Sequence, residues 1–207
     1  MSDETQFRRV ENRERDGQPV IVAVAVRSYD TSVEDLWDAI TTPERLKRWF
    51  LAVEGDLRLG GRYQLIGNAG GSITRCDRPR ALDLTWEMMG GMSWVELRLV
   101  PRGNGAQLTL EHIAPKDGPG EEHLKTFGPG AVGIGWDLGL LGLERHVAAP
   151  DVTIDPLEFQ AWTLSDEGKA YVREAGEAWC RADIDAGEDP GTAKAKTART
   201  IAFYTGE

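Results

Sequence analysis

Among the side chains able to exchange a proton near neutral pH, His112 is the best placed in this sequence. It follows Leu108 and Leu110 at the same parity in the run from Ala106 to Pro115. Residues two apart on a strand face the same way, so His112 is expected to point toward the covered face of a sheet. Two roles are open to it there: binding or protonating a ligand, or hydrogen-bonding backbone at the sheet rim. Asp137, beside Trp136, either pairs with a ligand or with His112, or stands in solvent. Trp86 and Trp136 either line an apolar cavity or fill a core; Leu140, on the helical row of Trp136, and Ile134, on the neighbouring row, are candidate ligand contacts with them. Tyr63 offers a hydroxyl as a polar anchor.

Other chemistries lack their residues. His112, His123 and His146 are scattered without ligand spacing, so no metal is expected. Cys76 and Cys180 form no motif and there is no G-x-S-x-G, so neither a nucleophile with its base nor a resident cofactor is expected. Gly128, Gly130 and Gly133 do spell G-x-G-x-x-G, the spacing that cradles a pyrophosphate. That fingerprint must follow a strand and open a helix within a parallel unit, whereas here it follows a polar loop and a run of antiparallel strands. The stretch is better read as a lead-in loop and a helix over roughly 131–147. Gly135, Gly139 and Gly142 lie along one side of that helix. Interior glycines each cost up to about 1 kcal/mol against alanine, so they need a reason. Close approach to a sheet is one, and room for a ligand beneath the helix is the other.

These side chains need a scaffold, and 207 residues make one domain with or without an appendage. Hydrophobic residues are 41% of the chain and charged residues 28%, as in ordinary globular proteins. A net charge of −10 argues against nucleic acid and against an anionic membrane surface as partners. The N-terminal run has no apolar signal-peptide core, and no window reaches the length of a membrane span. Two cysteines without a motif, for which a cross-link is neither required nor excluded, fit a reducing compartment, so the expectation is a soluble, cytoplasmic protein.

Along the chain, residues 1–18 read as a flexible charged arm. Residues 19–29 form a strand with Val20, Val22, Val24 and Val26 on one face and smaller residues on the other, which implies packing mainly on one side. A helix follows over 32–41, capped by Thr31 or Ser32, and a second short helix opens at Thr42-Pro43. From about residue 55 to 115 the hydrophobic period becomes two, with Asn104-Gly105 as a hairpin signal. Alternating strands on short connections require an antiparallel sheet with one covered face, hence an α+β fold of about six strands. Beyond Pro150, helices capped by Asp155, Ser165 and Asp189 form an extension whose Tyr171, Trp179, Phe203 and Tyr204 make it too aromatic for a solvated tail. It either packs on the domain, forms a homodimer interface, or lids a pocket.

Four stretches carry a family resemblance: residues 22–50 with the T-x-P-E-x-hydrophobic-x-x-W helix, residues 55–65 with their Gly-Gly pair, Leu108–His112, and Gly135-Trp136. With them the chain resembles the START-related, birch-pollen-allergen-like SRPBCC superfamily. More narrowly it resembles the branch of heat-shock protein 90 ATPase activator homologues. The resemblance implies a helix-grip domain over 19–150, with the sheet curved around a long C-terminal helix, and leaves 151–207 as an added helical extension. It also implies a cavity between sheet and helix holding a lipid-like, polyketide-like or aromatic molecule. Two alternatives accompany it: a polyketide cyclase or aromatase using His112 and Asp137, and a chaperone-linked interaction module.

Overall fold

The computed structural model describes residues 6–88 and 90–207. Residues 6–15, expected within a loose arm, instead form strand β1 (Gln6–Arg15), hairpinned to β2 (Gln18–Tyr29) through Asp16-Gly17. Both turn residues have positive φ, +52° and +79°, as a two-residue type I′ turn requires. Residues 1–5 of the expected arm lie outside the described residues. Helix α1 (Val33–Thr41) starts at Ser32, whose hydroxyl accepts the Asp35 amide at 3.1 Å. Helix α2 (Pro43–Trp49) follows at once, with proline in its first turn.

Strands β3 (Val53–Gly55), β4 (Arg62–Leu65), β5 (Gly70–Asp77), β6 (Ala81–Met88), β7 (Gly91–Arg102) and β8 (Gly105–Pro115) complete one antiparallel sheet. Its spatial order is β1-β2-β8-β7-β6-β5-β4-β3. There are thus eight strands rather than about six, and the two additions, β1 and β3, are the sheet's edges. The β7–β8 hairpin turns on Gly103-Asn104, one residue earlier than the expected Asn104-Gly105, with Gly103 at φ +58°. After β8, a short helix α3 (Glu121–Phe127) occupies the polar loop, and α4 (Gly130–Ala148) crosses the sheet's inner face.

That inner face carries Ala23 and Ala25 of β2, Val95, Leu97 and Leu99 of β7, and Leu108 and Leu110 of β8. Small residues on β2 let α4 approach the sheet closely. The valine face of β2 is not the core side, and it is not solvated either. Val20, Val22 and Val24 are buried with Ile113 in a second cluster on the outer face. Cross-strand neighbours Arg9, Glu11 and Arg13 flank that row, and their aliphatic stems shield it while their charges pair.

The extension consists of α5 (Pro156–Thr163), α6 (Asp166–Asp185) and α7 (Pro190–Thr205), capped by Asp155, Ser165 and Asp189 as expected. Helix α6 packs on β1, α4 and α7. Trp179, 1% exposed, is the largest of its buried side chains. Among the described residues no helix is long and apolar enough to cross a membrane.

Candidate functional site

Between the concave sheet and the roof made by α1, α2 and α4 lies a cavity of about 340 Å³, within the range of small-molecule sites. Leu84 and Trp86 of β6 and Tyr63 of β4 form part of its floor, and Trp136, Gly139 and Leu140 of α4 part of its roof. Aromatic rings run along one side. Trp49 stacks on Phe50 with centroids 5.4 Å apart, Phe50 lies 6.2 Å from Trp136, and Trp136 lies 5.1 Å from Trp86. Each separation is within the range where ring pairs attract beyond simple burial.

Polar hydrogens in this wall are largely engaged by the protein itself. The Tyr63 hydroxyl donates to the Thr85 carbonyl at 2.8 Å, and burial pushes its phenol well up. Trp49 Nε1 donates to the Ala39 carbonyl and the Thr41 hydroxyl to the Trp37 carbonyl. Trp136 Nε1 donates to His112 Nδ1 at 3.0 Å. That bond fixes the histidine tautomer: Nδ1 accepts, so Nε2 carries the proton and faces Ser93 Oγ at 3.0 Å. Ser93 Oγ in turn donates to the Trp86 carbonyl at 3.3 Å. With both ring nitrogens engaged and burial holding its pKa down at about 4, His112 is a neutral clamp behind two tryptophans. It also borders a smaller cavity of about 190 Å³, which Trp86, Val132 and His123 help to line.

Asp137 points elsewhere. Its carboxylate is fully buried and accepts from Trp179 Nε1 and Arg8 Nε, each at 2.8 Å, and from Gln6 Nε2 at 3.2 Å. It joins α4 to β1 and α6, and pairs with neither His112 nor the cavity. Ile134, 0% exposed, likewise faces the extension, within 3.5 Å of where a side chain at Gly176 would begin. Of the seven side chains singled out by sequence, Tyr63, Trp86, Trp136 and Leu140 meet at the cavity. His112 stands behind it, and Ile134 and Asp137 belong to the seam with the extension.

The close approaches of these glycines are to neighbouring helices rather than to the sheet, and one glycine leaves room at the cavity. A Cβ on Gly133 would sit 2.3 Å from the Trp179 indole, so this glycine of the G-x-G-x-x-G is a notch for a tryptophan. It lies in the first turn of α4, which follows helix α3 and not the strand that a dinucleotide fingerprint needs. A Cβ on Gly142 would meet the Trp49 carbonyl at 2.7 Å. Gly139 instead lines the cavity, where a Cβ would touch the Phe50 ring at an ordinary 3.5 Å.

Sequence reasoning passed over Ser93, although its parity with Val95 and Leu97 placed it on the inner face with His112. Trp49, at the end of α2, and Phe50, which follows it, also line the cavity, and no local pattern marks them as cavity wall. Among the described residues no three His, Cys, Asp or Glu side chains gather as a metal site.

In structure the chain is similar to CalU16 from Micromonospora echinospora, at 33% identity. The crystal form of that protein superposes with a TM-score of 0.68 over 86% of this chain and 98% of that one. Its solution form gives 0.71 over 90% and 100%. MLL2253 from Mesorhizobium loti shares the fold at 20% identity and a TM-score of 0.54, over 63% of this chain and 99% of that one. No curated protein matches by sequence. Residues 30–148, from the start of α1's capping loop through the end of α4, match the family described as Activator of Hsp90 ATPase homolog 1-like protein, and the chain belongs to that family.

Proposed function

We propose that this protein binds an apolar or aromatic small molecule in the cavity between the sheet and α4. The observation that carries the reading is the cavity itself: about 340 Å³, walled mostly by aromatic and aliphatic side chains, with the polar hydrogens of Tyr63, Trp49, Thr41 and Trp136 engaged by the protein itself. Such a wall offers dispersion and burial and little polar recognition, which suits a hydrophobic body. An acid–base reaction run by His112 and Asp137 has no support in this geometry. One imidazole nitrogen is occupied by Trp136 and the other by Ser93, and the carboxylate is held by Trp179 and Arg8.

The test uses the neutral fluorescent probe N-phenylnaphthylamine, together with mass spectrometry of whatever the gently purified protein releases on denaturation. One probe per chain is expected, displaced by any released compound. Filling the cavity from opposite walls, with Leu84→Trp in one variant and Gly139→Leu in another, is expected to abolish binding. Overpacking of this kind costs about 1–3 kcal/mol, so circular dichroism must first show each variant folded. A folded, cavity-filled variant that binds the probe as well as the parent overturns the proposal.

A further inference from the structure

One charged group, Arg78, lines the cavity among the described residues, and it is largely exposed, which puts it at the mouth rather than in the interior. It follows β5 and borders the cavity together with Cys76 of that strand and with Thr41 at the end of α1. Its guanidinium donates to Asp38 at 2.9 Å, and the two side chains remain 67% and 43% exposed. An ion pair so exposed is held by little and exchanges partners readily. The neighbouring Asp77 is already flanked by Arg75 at 3.8 Å and Arg80 at 3.6 Å. The ion pairs around Arg78 thus join three arginines, Arg75, Arg78 and Arg80, to two aspartates, Asp38 and Asp77, on a chain whose net charge is −10.

From this arrangement, and resting on the proposed cavity function, we infer that the ligand is an amphipathic acid: an apolar or aromatic body with a carboxylate at one end. The body fills the cavity and the carboxylate displaces Asp38 from Arg78. Charge complementarity selects the anion, because a cationic head group would meet arginine, and a neutral one would leave the forked donors of Arg78 on Asp38. The planar guanidinium matches a carboxylate with two parallel hydrogen bonds. Burial of the body does the rest. It delivers the carboxylate to Arg78 at high local concentration, so that a contact too weak to act alone is made within an already bound molecule. The interior reads size and apolarity, and the mouth reads charge.

Two probes with the same aromatic body separate these parts: anilinonaphthalene sulfonate, whose sulfonate stands in for the carboxylate, and its neutral parent N-phenylnaphthylamine. Arg78→Gln is expected to weaken the sulfonate probe by about tenfold, the scale of one charge-assisted contact, and to leave the neutral probe within about twofold. Asp38→Asn, which removes the competing carboxylate, is expected to tighten the sulfonate probe severalfold, again without moving the neutral one. Added salt should weaken the sulfonate probe selectively. Equal changes for both probes in Arg78→Gln, or no change for either, overturn the inference while leaving the cavity function standing. Failure of the folded parent protein to bind either probe overturns both.

Discussion

In the folded chain the His112 imidazole accepts at one nitrogen and donates at the other, and burial keeps it neutral down to about pH 4. In the unfolded chain the same group ionises near pH 6.5. Between those values the unfolded state takes up a proton that the native state refuses. The stability contributed by a neutral His112 is therefore complete above pH 6.5 and is lost, at about 1.4 kcal/mol per pH unit, as pH falls toward 4. His146, whose Nε2 accepts from Arg45 Nε at 3.1 Å, is depressed in the same direction by burial and by the charges of Arg45 and Arg48. A His112→Gln variant can still accept from Trp136 and donate to Ser93, but it does not titrate. Urea unfolding at pH 7 and pH 5 should show a shallower pH slope for His112→Gln by about one proton. An unchanged slope would mean that the native imidazole is not held neutral. The inward direction of His112 was legible from parity with Leu108 and Leu110. Its indole partner was not, because parity names a face and not the residue opposite. Asp137 was harder still, since Arg8 and Trp179, which bury it, lie 129 and 42 residues away in sequence.

Helix α4 shows how glycines of one helix divide their work. At Gly139 a methyl group finds an ordinary contact with Phe50, so Gly139→Ala is expected to stabilise the fold by about 0.5–1 kcal/mol through helix propensity, and to narrow the cavity slightly. At Gly133 the same methyl group collides with a rigid indole that is itself buried, so Gly133→Ala is expected to destabilise by about 3 kcal/mol or more. Unfolding midpoints of the two variants, moving in opposite directions, check both statements. The spacing of these glycines was visible in the sequence, but which of them faced a ligand space depended on α6 and α2. Strand β1 is where the sequence pattern and the structure differ most. Its Arg9, Glu11, Arg13 and Arg15 look like a solvated arm, yet charges of this kind are what protect an edge strand from unwanted pairing. Asp16-Gly17 ahead of an apolar strand was the overlooked hairpin signal.

For the molecule as a whole, the family match ends at residue 148, but the packing does not. Removing residues 151–207 takes Trp179 from its notch against Gly133 and deprives the buried Asp137 of its indole donor. A buried carboxylate losing a donor and a large aromatic slot left empty are among the most destabilising changes a domain meets. The truncated chain 1–150 is expected to lose its near-ultraviolet dichroism and its cooperative thermal transition. A sharp transition in that truncation would show the extension to be an accessory. The α+β class, the antiparallel sheet and the three capped helices of the extension were legible from period and capping. How the extension joins the sheet was not, because its seam is built from residues of β1, α4 and α6 that have no local pattern in common.

Trp136 and Asp137 are consecutive in the chain but serve different neighbours, the first facing the cavity wall and the second the seam with α6. A molecule pressing on the Trp136 side therefore bears on the same rod that carries the Asp137 side. Occupancy of the cavity should reach α6 without touching it, read as slower amide hydrogen exchange along residues 172–183 when the site is filled. The helix then acts as a beam loaded on one side and anchored on the other, so that the state of the interior is registered on the far surface of the protein.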